Sequence, residues 1–97
     1  MRQSDLKVDG NAVAGLLREL FGVEMTLADA LCASCHKVHP VGRVDVYMNA
    51  PGIVMRCPSC GHVVMRIVRG RGRVWLDMRG VGCLEFTSPG ESQGPLR

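Results

Sequence analysis

Apolar and polar positions along this 97-residue chain follow two different periods, and the change of period predicts where its elements fall. Val13, Leu16, Leu17, Leu20 and Phe21 recur at helical spacing. Asp9-Gly10-Asn11 ahead of them offers N-cap side chains and Gly22 a stop, so an amphipathic helix is expected over residues 11–21. From Val23 the period falls to two. Val23-Glu24-Met25-Thr26-Leu27 reads as a short strand, residues 28–31 fit neither period, and His39-Pro40 reads as a turn. Residues 41–48 alternate, with Val44, Val46 and Met48 on one face and Arg43, Asp45 and Tyr47 on the other. Asn49-Ala50-Pro51-Gly52 is a turn by composition, after which Ile53-Val54-Met55-Arg56 returns as a strand. Residues 63–69 and 74–79 make a second hairpin across the loop Gly70-Arg71-Gly72-Arg73, and residues 80–86 add a short final strand.

The ends carry no such pattern. Residues 1–8 are polar and expected to fray, and residues 88–97 are too polar and too rich in Pro and Gly to pack, which leaves one domain over residues 9–87. A domain of that size buries a modest share of its surface and calls for a staple.

Cysteine spacing supplies a candidate. Cys32-Ala33-Ser34-Cys35 and Cys57-Pro58-Ser59-Cys60 are two hooks separated by 21 residues, each able to offer two thiolates to one tetrahedral cation. A two-residue gap lets one tight turn present both sulfurs with backbone N–H groups aimed at them. Gly61 suits such a turn because it accepts positive φ, whereas the first hook has His36 at the equivalent place. One structural Zn²⁺ bound by Cys32, Cys35, Cys57 and Cys60 is therefore expected, with mononuclear iron as the rival that uses the same geometry. The strand between residues 53 and 56 would deliver Cys57 and bring the hooks together at one end of a hairpin. The fold expected is a small, mainly-β zinc ribbon of two zinc knuckles and two β-hairpins, with one N-terminal amphipathic α-helix. Cys83 reads as a small buried hydrophobe, and His36, His39 and His62 as surface or supporting residues around a shell already filled by sulfur.

Charge changes the picture less than its placement does. The net charge is +3, but residues 37–80 hold eight basic side chains against two acids, and the remainder four against seven. Arg66, Arg69, Arg71 and Arg73 crowd one hairpin. They suit phosphate contacts in a nucleic-acid or ribosome-binding module. They equally suit a solvated hairpin tip that discourages edge pairing and offsets the thiolates, which is the simpler reading. Trp75 and Tyr47 could stack on bases, but with four aromatics in the chain Trp75 is expected in the core. The helix face of Leu16, Leu17, Leu20 and Phe21 packs on its own domain or, in an adaptor, docks a protein partner or a second copy. No phosphate-cradling glycine loop, paired carboxylates or nucleophile–base set is present, and a closed four-sulfur shell leaves no open coordination position. A non-enzymatic zinc-binding module without a small-molecule substrate is expected, a protein-interaction adaptor first and, as the alternative, a nucleic-acid or ribosome-binding module using the hairpin at 66–73. No apolar run approaches the roughly 20 residues of a bilayer span, and the start lacks the pattern of a secretion signal, so a cytoplasmic location is the default expectation.

Over residues 8–86 the chain resembles an uncharacterised small actinobacterial zinc-ribbon-like family, a domain of unknown function. The resemblance rests on Asp9-Gly10-Asn11-Ala12, Cys32-Ala33-Ser34-Cys35, Ala50-Pro51-Gly52, Arg56-Cys57-Pro58-Ser59-Cys60 and Trp75-Leu76-Asp77-Met78-Arg79-Gly80. It implies a zinc-ribbon-like fold and no established activity.

Overall fold

The computed structural model describes residues 7–48 and 52–87. Its longest strand, β6 (Val63–Gly70), is apolar at Val63, Val64, Met65, Ile67 and Val68. It pairs antiparallel with β5 (Gly52–Arg56) on one side and β7 (Arg73–Asp77) on the other. With β4 (Asp45–Tyr47) and β1 (Lys7–Asp9) they form a five-stranded sheet in the order β1-β4-β5-β6-β7. A second sheet, β3-β2-β8, joins β2 (Asp29–Cys32), β3 (Val38–Pro40) and β8 (Val81–Glu85). The described residues are thus mainly β, with two sheets and one short α-helix.

That helix, α1 (Ala14–Phe21), follows a turn of 3-10 helix at Gly10–Val13. Asp9 caps the turn by accepting from the N–H of Asn11 at 3.1 Å, and Gly22, in the left-handed region, ends α1 with its N–H bonded to the Arg18 carbonyl. The C-terminal end agrees with the sequence, whereas residues 11–13 of the expected helix are 3-10 helix and the α-helix starts at Ala14. The helical stripe faces inward: Leu17 is fully buried, and Leu16, Leu20 and Phe21 pack against the core from partly buried positions.

Register explains which face of the large sheet is covered. Val46, Met55 and Met65 stand in one cross-strand row, and Ile53, Ile67 and Leu76 in the next. On a pleated sheet these rows share a face. Val46, Met55, Met65 and Ile67 are buried there in one cluster with Val13, Leu17, Met25, Val41 and Val44. Burying side chains of this size contributes about 1.5–3 kcal/mol each. Cys32 and Cys57 belong to the same cluster, so the core runs up to the cysteine hooks.

Several expectations give way to tertiary pairing. Residues 23–27 form no strand: Met25 and Thr26 are both buried in a turn that projects Leu27 into solvent. The neighbouring residues 29–32 become β2, although their own pattern was ambiguous, because β3 and β8 flank them on both sides. His39-Pro40 belongs to β3 rather than to a turn. Val41–Arg43 is 3-10 helix, which shortens the strand read over 41–48 to Asp45–Tyr47 and leaves Met48 exposed. The four-residue loop at 70–73 tightens to Arg71-Gly72, with Gly70 and Arg73 paired and Gly72 at positive φ. Lys7 and Val8, grouped above with the frayed start, pair with Tyr47 and Val46. The rest of that start, residues 49–51 of the expected turn and the tail at 88–97 lie outside the described residues. The pairing of β4 with β5 and of β6 with β7 stands as read.

Candidate metal centre

The two hooks are the turns of two different hairpins. Cys32 ends β2 and its hook leads to β3, while Cys57 follows β5 and its hook leads to β6. Backbone bonding repeats from one to the other. The N–H of His36 donates to the Cys32 carbonyl and that of Cys32 to the Lys37 carbonyl. In the second hook Gly61 donates to Cys57 and Cys57 to His62, all at 2.8–2.9 Å. Both turns end on a left-handed residue, Gly61 at φ 80 and His36 at φ 65.

This geometry brings the four sulfurs within 4.8 Å of one another. The Cys32–Cys60 and Cys35–Cys57 separations are both 3.7 Å. A disulfide needs about 2.05 Å. A tetrahedral zinc with sulfur at about 2.3 Å sets its ligands about 3.8 Å apart. The separations therefore fit four ligands around one ion, and the group could hold a metal. Backbone N–H groups point at the sulfurs from inside each turn, Ser34 and Cys35 toward Cys32 Sγ at 3.4 and 3.5 Å, and Ser59 toward Cys57 Sγ at 3.4 Å.

Electrostatics in the cluster are uneven. The N–H groups of Cys35 and Ser34 and the side chain of Cys60 draw the Cys32 thiol down to about 7, against the cost of burial. Around Cys35 the Lys37 N–H favours the thiolate, but burial and the sulfurs of Cys57, Cys60 and Cys32 outweigh it and push that thiol up to about 11. One sulfur ionises readily and its neighbour resists a second negative charge at contact distance, a conflict that a divalent cation removes.

Side chains lace the hooks together. Ser34 Oγ lies 3.3 Å from His62 Nδ1, and Ser59 Oγ lies 2.8 Å from His39 Nε2. Each serine of a Cys-X-Ser-Cys hook thus meets a histidine belonging to the other half of the site. The sequence placed His39 and His62 around the shell but did not single out Ser34 and Ser59, whose only signal was their repetition at one position in both hooks. Cys83 does not join: it is exposed on β8, because Gly82 and Cys83 sit on an uncovered stretch of that strand, and the buried position expected for it is corrected.

The arginines separate. Alternation along β6 sends Arg66 to the outer face of the large sheet and Arg69 to the inner one, where its Nη1 lies 4.0 Å from Glu19 of the helix. Arg71 occupies the turn, and Arg73 shares the outer face with Arg66. Trp75, expected in the core, is 55% exposed on that outer face, because Val68, its cross-strand partner, also points away from the helix. Nearby, Tyr47 lies under the Arg56 guanidinium at 5.8 Å, and Arg79 grips Asp77 through a fork whose shortest arm is 2.7 Å. Arg79 holds the Asp77 carboxyl down at about 2. Arg66, Val68, Trp75, Asp77 and Arg79 line an open cleft.

Fold and site together define a small mainly-β protein in which four cysteines from two sheets form a cluster able to hold a metal. The chain belongs to DUF6510, a family of unknown function, which it matches over residues 2–89. The resemblance to a family of unknown function, read over residues 8–86, is thereby borne out and extended, without its zinc-ribbon character or its actinobacterial range. No curated protein and no solved structure matches the chain. No helix among the described residues is long and apolar enough to cross a membrane.

Proposed function

We propose that the chain is a non-enzymatic binding module of zinc-ribbon type. One structural Zn²⁺ at Cys32, Cys35, Cys57 and Cys60 fastens its two sheets, and the outer face of the large sheet binds single-stranded nucleic acid. The metal reading is supported by sulfur separations that match a tetrahedron and by a donor set of four thiolates, which suits zinc and leaves no position open for a reacting water.

A single observation carries the binding reading. The only Trp and the only Tyr of the chain stand on the sheet face turned away from the helix, half-buried or exposed among the described residues, beside Val54 and Val68 and among Arg56, Arg66, Arg73 and Arg79. Aromatic platforms ringed by arginine accept unpaired bases by stacking and phosphates by charge, with little dependence on sequence. An adaptor that docks a partner through Leu16, Leu17, Leu20 and Phe21 is less favoured, since that stripe packs on the domain's own core.

Quenching of Trp75 fluorescence by an oligothymidylate and by a mixed-sequence RNA, titrated at several salt concentrations, tests this reading. Binding at low salt that weakens steadily with added salt is expected. Arg66→Ser should weaken binding to both and reduce the salt slope by about one. Absence of binding to either oligonucleotide at low salt overturns the nucleic-acid reading and leaves the metal reading to its own test by metal analysis of the native protein.

A further inference from the structure

Among the described residues the large sheet ends on β7, and this edge is unlike one kept from pairing. Val74, Trp75 and Leu76 are 44%, 55% and 41% exposed, although Ile67, in register with Leu76, is buried. Cover from the core stops one strand short of the edge. Natural edges are usually blunted by charge, proline or brevity, since unpaired N–H and C=O groups beside apolar side chains invite another strand. Here Arg73 and Asp77 bracket three apolar residues, and the segment Arg73-Val74-Trp75-Leu76-Asp77 complements itself when read in the opposite direction.

We propose that two copies of this chain pair through β7, antiparallel and edge to edge, about a two-fold axis at Trp75. In that register Arg73 stands opposite Asp77 of the other copy, Val74 opposite Leu76, and Trp75 opposite its own counterpart. Both charges find an opposite sign, where an unrelated strand would meet an unpaired arginine. The hydrogen-bonding phase agrees. Gly70 and Arg73 flank the two-residue turn and form a bonded pair, so alternation along the antiparallel ladder directs Arg73, Trp75 and Asp77 toward β6. Val74 and Leu76 therefore present their N–H and C=O groups outward. Those are the two residues that face each other across the proposed axis, and each pair exchanges two bonds.

Side-chain faces match as well. Val74 and Leu76 from both copies meet on the inner face and cover the apolar strip that the helix leaves bare. Trp75, whose ring rests over Gly70, stays on the outer face, where the two sheets become continuous. The other free edges fit less well: β1 has three residues, β3 ends in Pro40, and pairing β8 with itself about Cys83 sets Val81 against Glu85.

Sedimentation of nuclease-treated, metal-replete protein tests the pairing without any nucleic acid present, so its outcome is independent of the binding reading above. The mass should rise with concentration toward twice the 10.5 kDa of one chain. Arg73→Asp and Asp77→Arg should each sediment as monomers, and an equimolar mixture of the two should recover the dimer, because each then supplies the charges the other lacks. Circular dichroism and metal content matching the unaltered chain establish that both variants fold. Backbone amides of Val74 and Leu76 should exchange with solvent more slowly as the dimer fills. A chain that stays monomeric at its solubility limit overturns the proposal. So does a dimer that either variant retains alone, which would place the contact elsewhere, or a mixture that remains monomeric.

Discussion

The two cysteine hooks share a backbone plan and differ in what surrounds it. The second hook joins β5 to β6, which pair through five residues, and ends on Gly61, which takes its left-handed conformation without strain. The first hook joins β2 to the three-residue β3 and ends on His36, for which the same conformation costs roughly 1–2 kcal/mol. Its support comes from a distance: the N–H of Ala33 donates to the carbonyl of Gly80, 47 residues further on, at 2.9 Å. One hook is thus held by the sheet it belongs to. The other is held by the shared cysteine cluster, by the Ser34–His62 and His39–Ser59 contacts, and by the chain around Gly80. Matching turns with unequal scaffolds imply that the small sheet depends on the shared site more than the large one does.

Removing the metal should expose that inequality most. Structural zinc contributes on the order of 10–16 kcal/mol in small modules, more than the roughly 5–15 kcal/mol by which typical domains are stable. Chelation is expected to unfold the protein, and at partial occupancy the amides of β2, β3 and β8 should exchange before those of β5 and β6. Hydrogen exchange read residue by residue checks both. Retention of the folded spectrum under strong chelation would count against a structural metal, and equal exchange in the two sheets against the asymmetry.

Gly80→Ala should be the next most damaging change. An added methyl would collide with the backbone of Val63 and Val64, and moving the loop away would take the Gly80 carbonyl from the first hook. A loss of about 2–4 kcal/mol is expected from overpacking combined with a broken backbone hydrogen bond, measured by urea denaturation. Substitutions at the two left-handed positions should have opposite signs. Gly61→Ala meets no neighbour, so its cost of about 1 kcal/mol is conformational, while His36→Gly should stabilise by about 1 kcal/mol or less, because the glycine also loosens the unfolded chain. Thermal midpoints of the two variants decide this.

The smallest expected effect lies at the Asp77–Arg79 fork beside Gly80. The carboxyl of Asp77 titrates near 2 when folded, below its usual value of about 3.9. Its contribution to stability is therefore full above pH 4 and is lost as pH falls from there through about 2. Both groups face solvent, and the effect on stability is minor. The carboxyl carbon resonance of Asp77 should titrate near 2 in the native chain and at higher pH in Arg79→Ala, which loses the guanidinium and keeps the N–H of residue 79.

Local features were legible because they need few residues to specify them. The helix and its caps follow from Asp9, Asn11, Gly22 and the leucine spacing, the cluster from two Cys-X-Ser-Cys repeats, and the β6–β7 hairpin from two strand runs around glycines. What escaped reading depends on partners distant in the chain. Residues 29–32 carry no decisive period, and they become a strand because β8, 49 to 56 residues away, pairs with them. Residues 23–27 do alternate, yet no strand lies alongside them, so the pattern has nothing to bond. Trp75 illustrates the same limit for burial, since a strand's period names two faces and leaves open which one the helix covers.

By itself, then, the sequence determined that two turns would offer four thiolates and that an amphipathic helix would precede them, since turn geometry, capping and side-chain spacing act within a few residues. Only the tertiary structure decided that the hooks would come from separate sheets, that Arg66 and Arg69 would part to opposite faces, and that Trp75 and the edge of β7 would stand in solvent. Those outcomes depend on which strands pair and which face the core occupies. Both are settled by burying apolar surface over the whole molecule, and no local pattern encodes that sum.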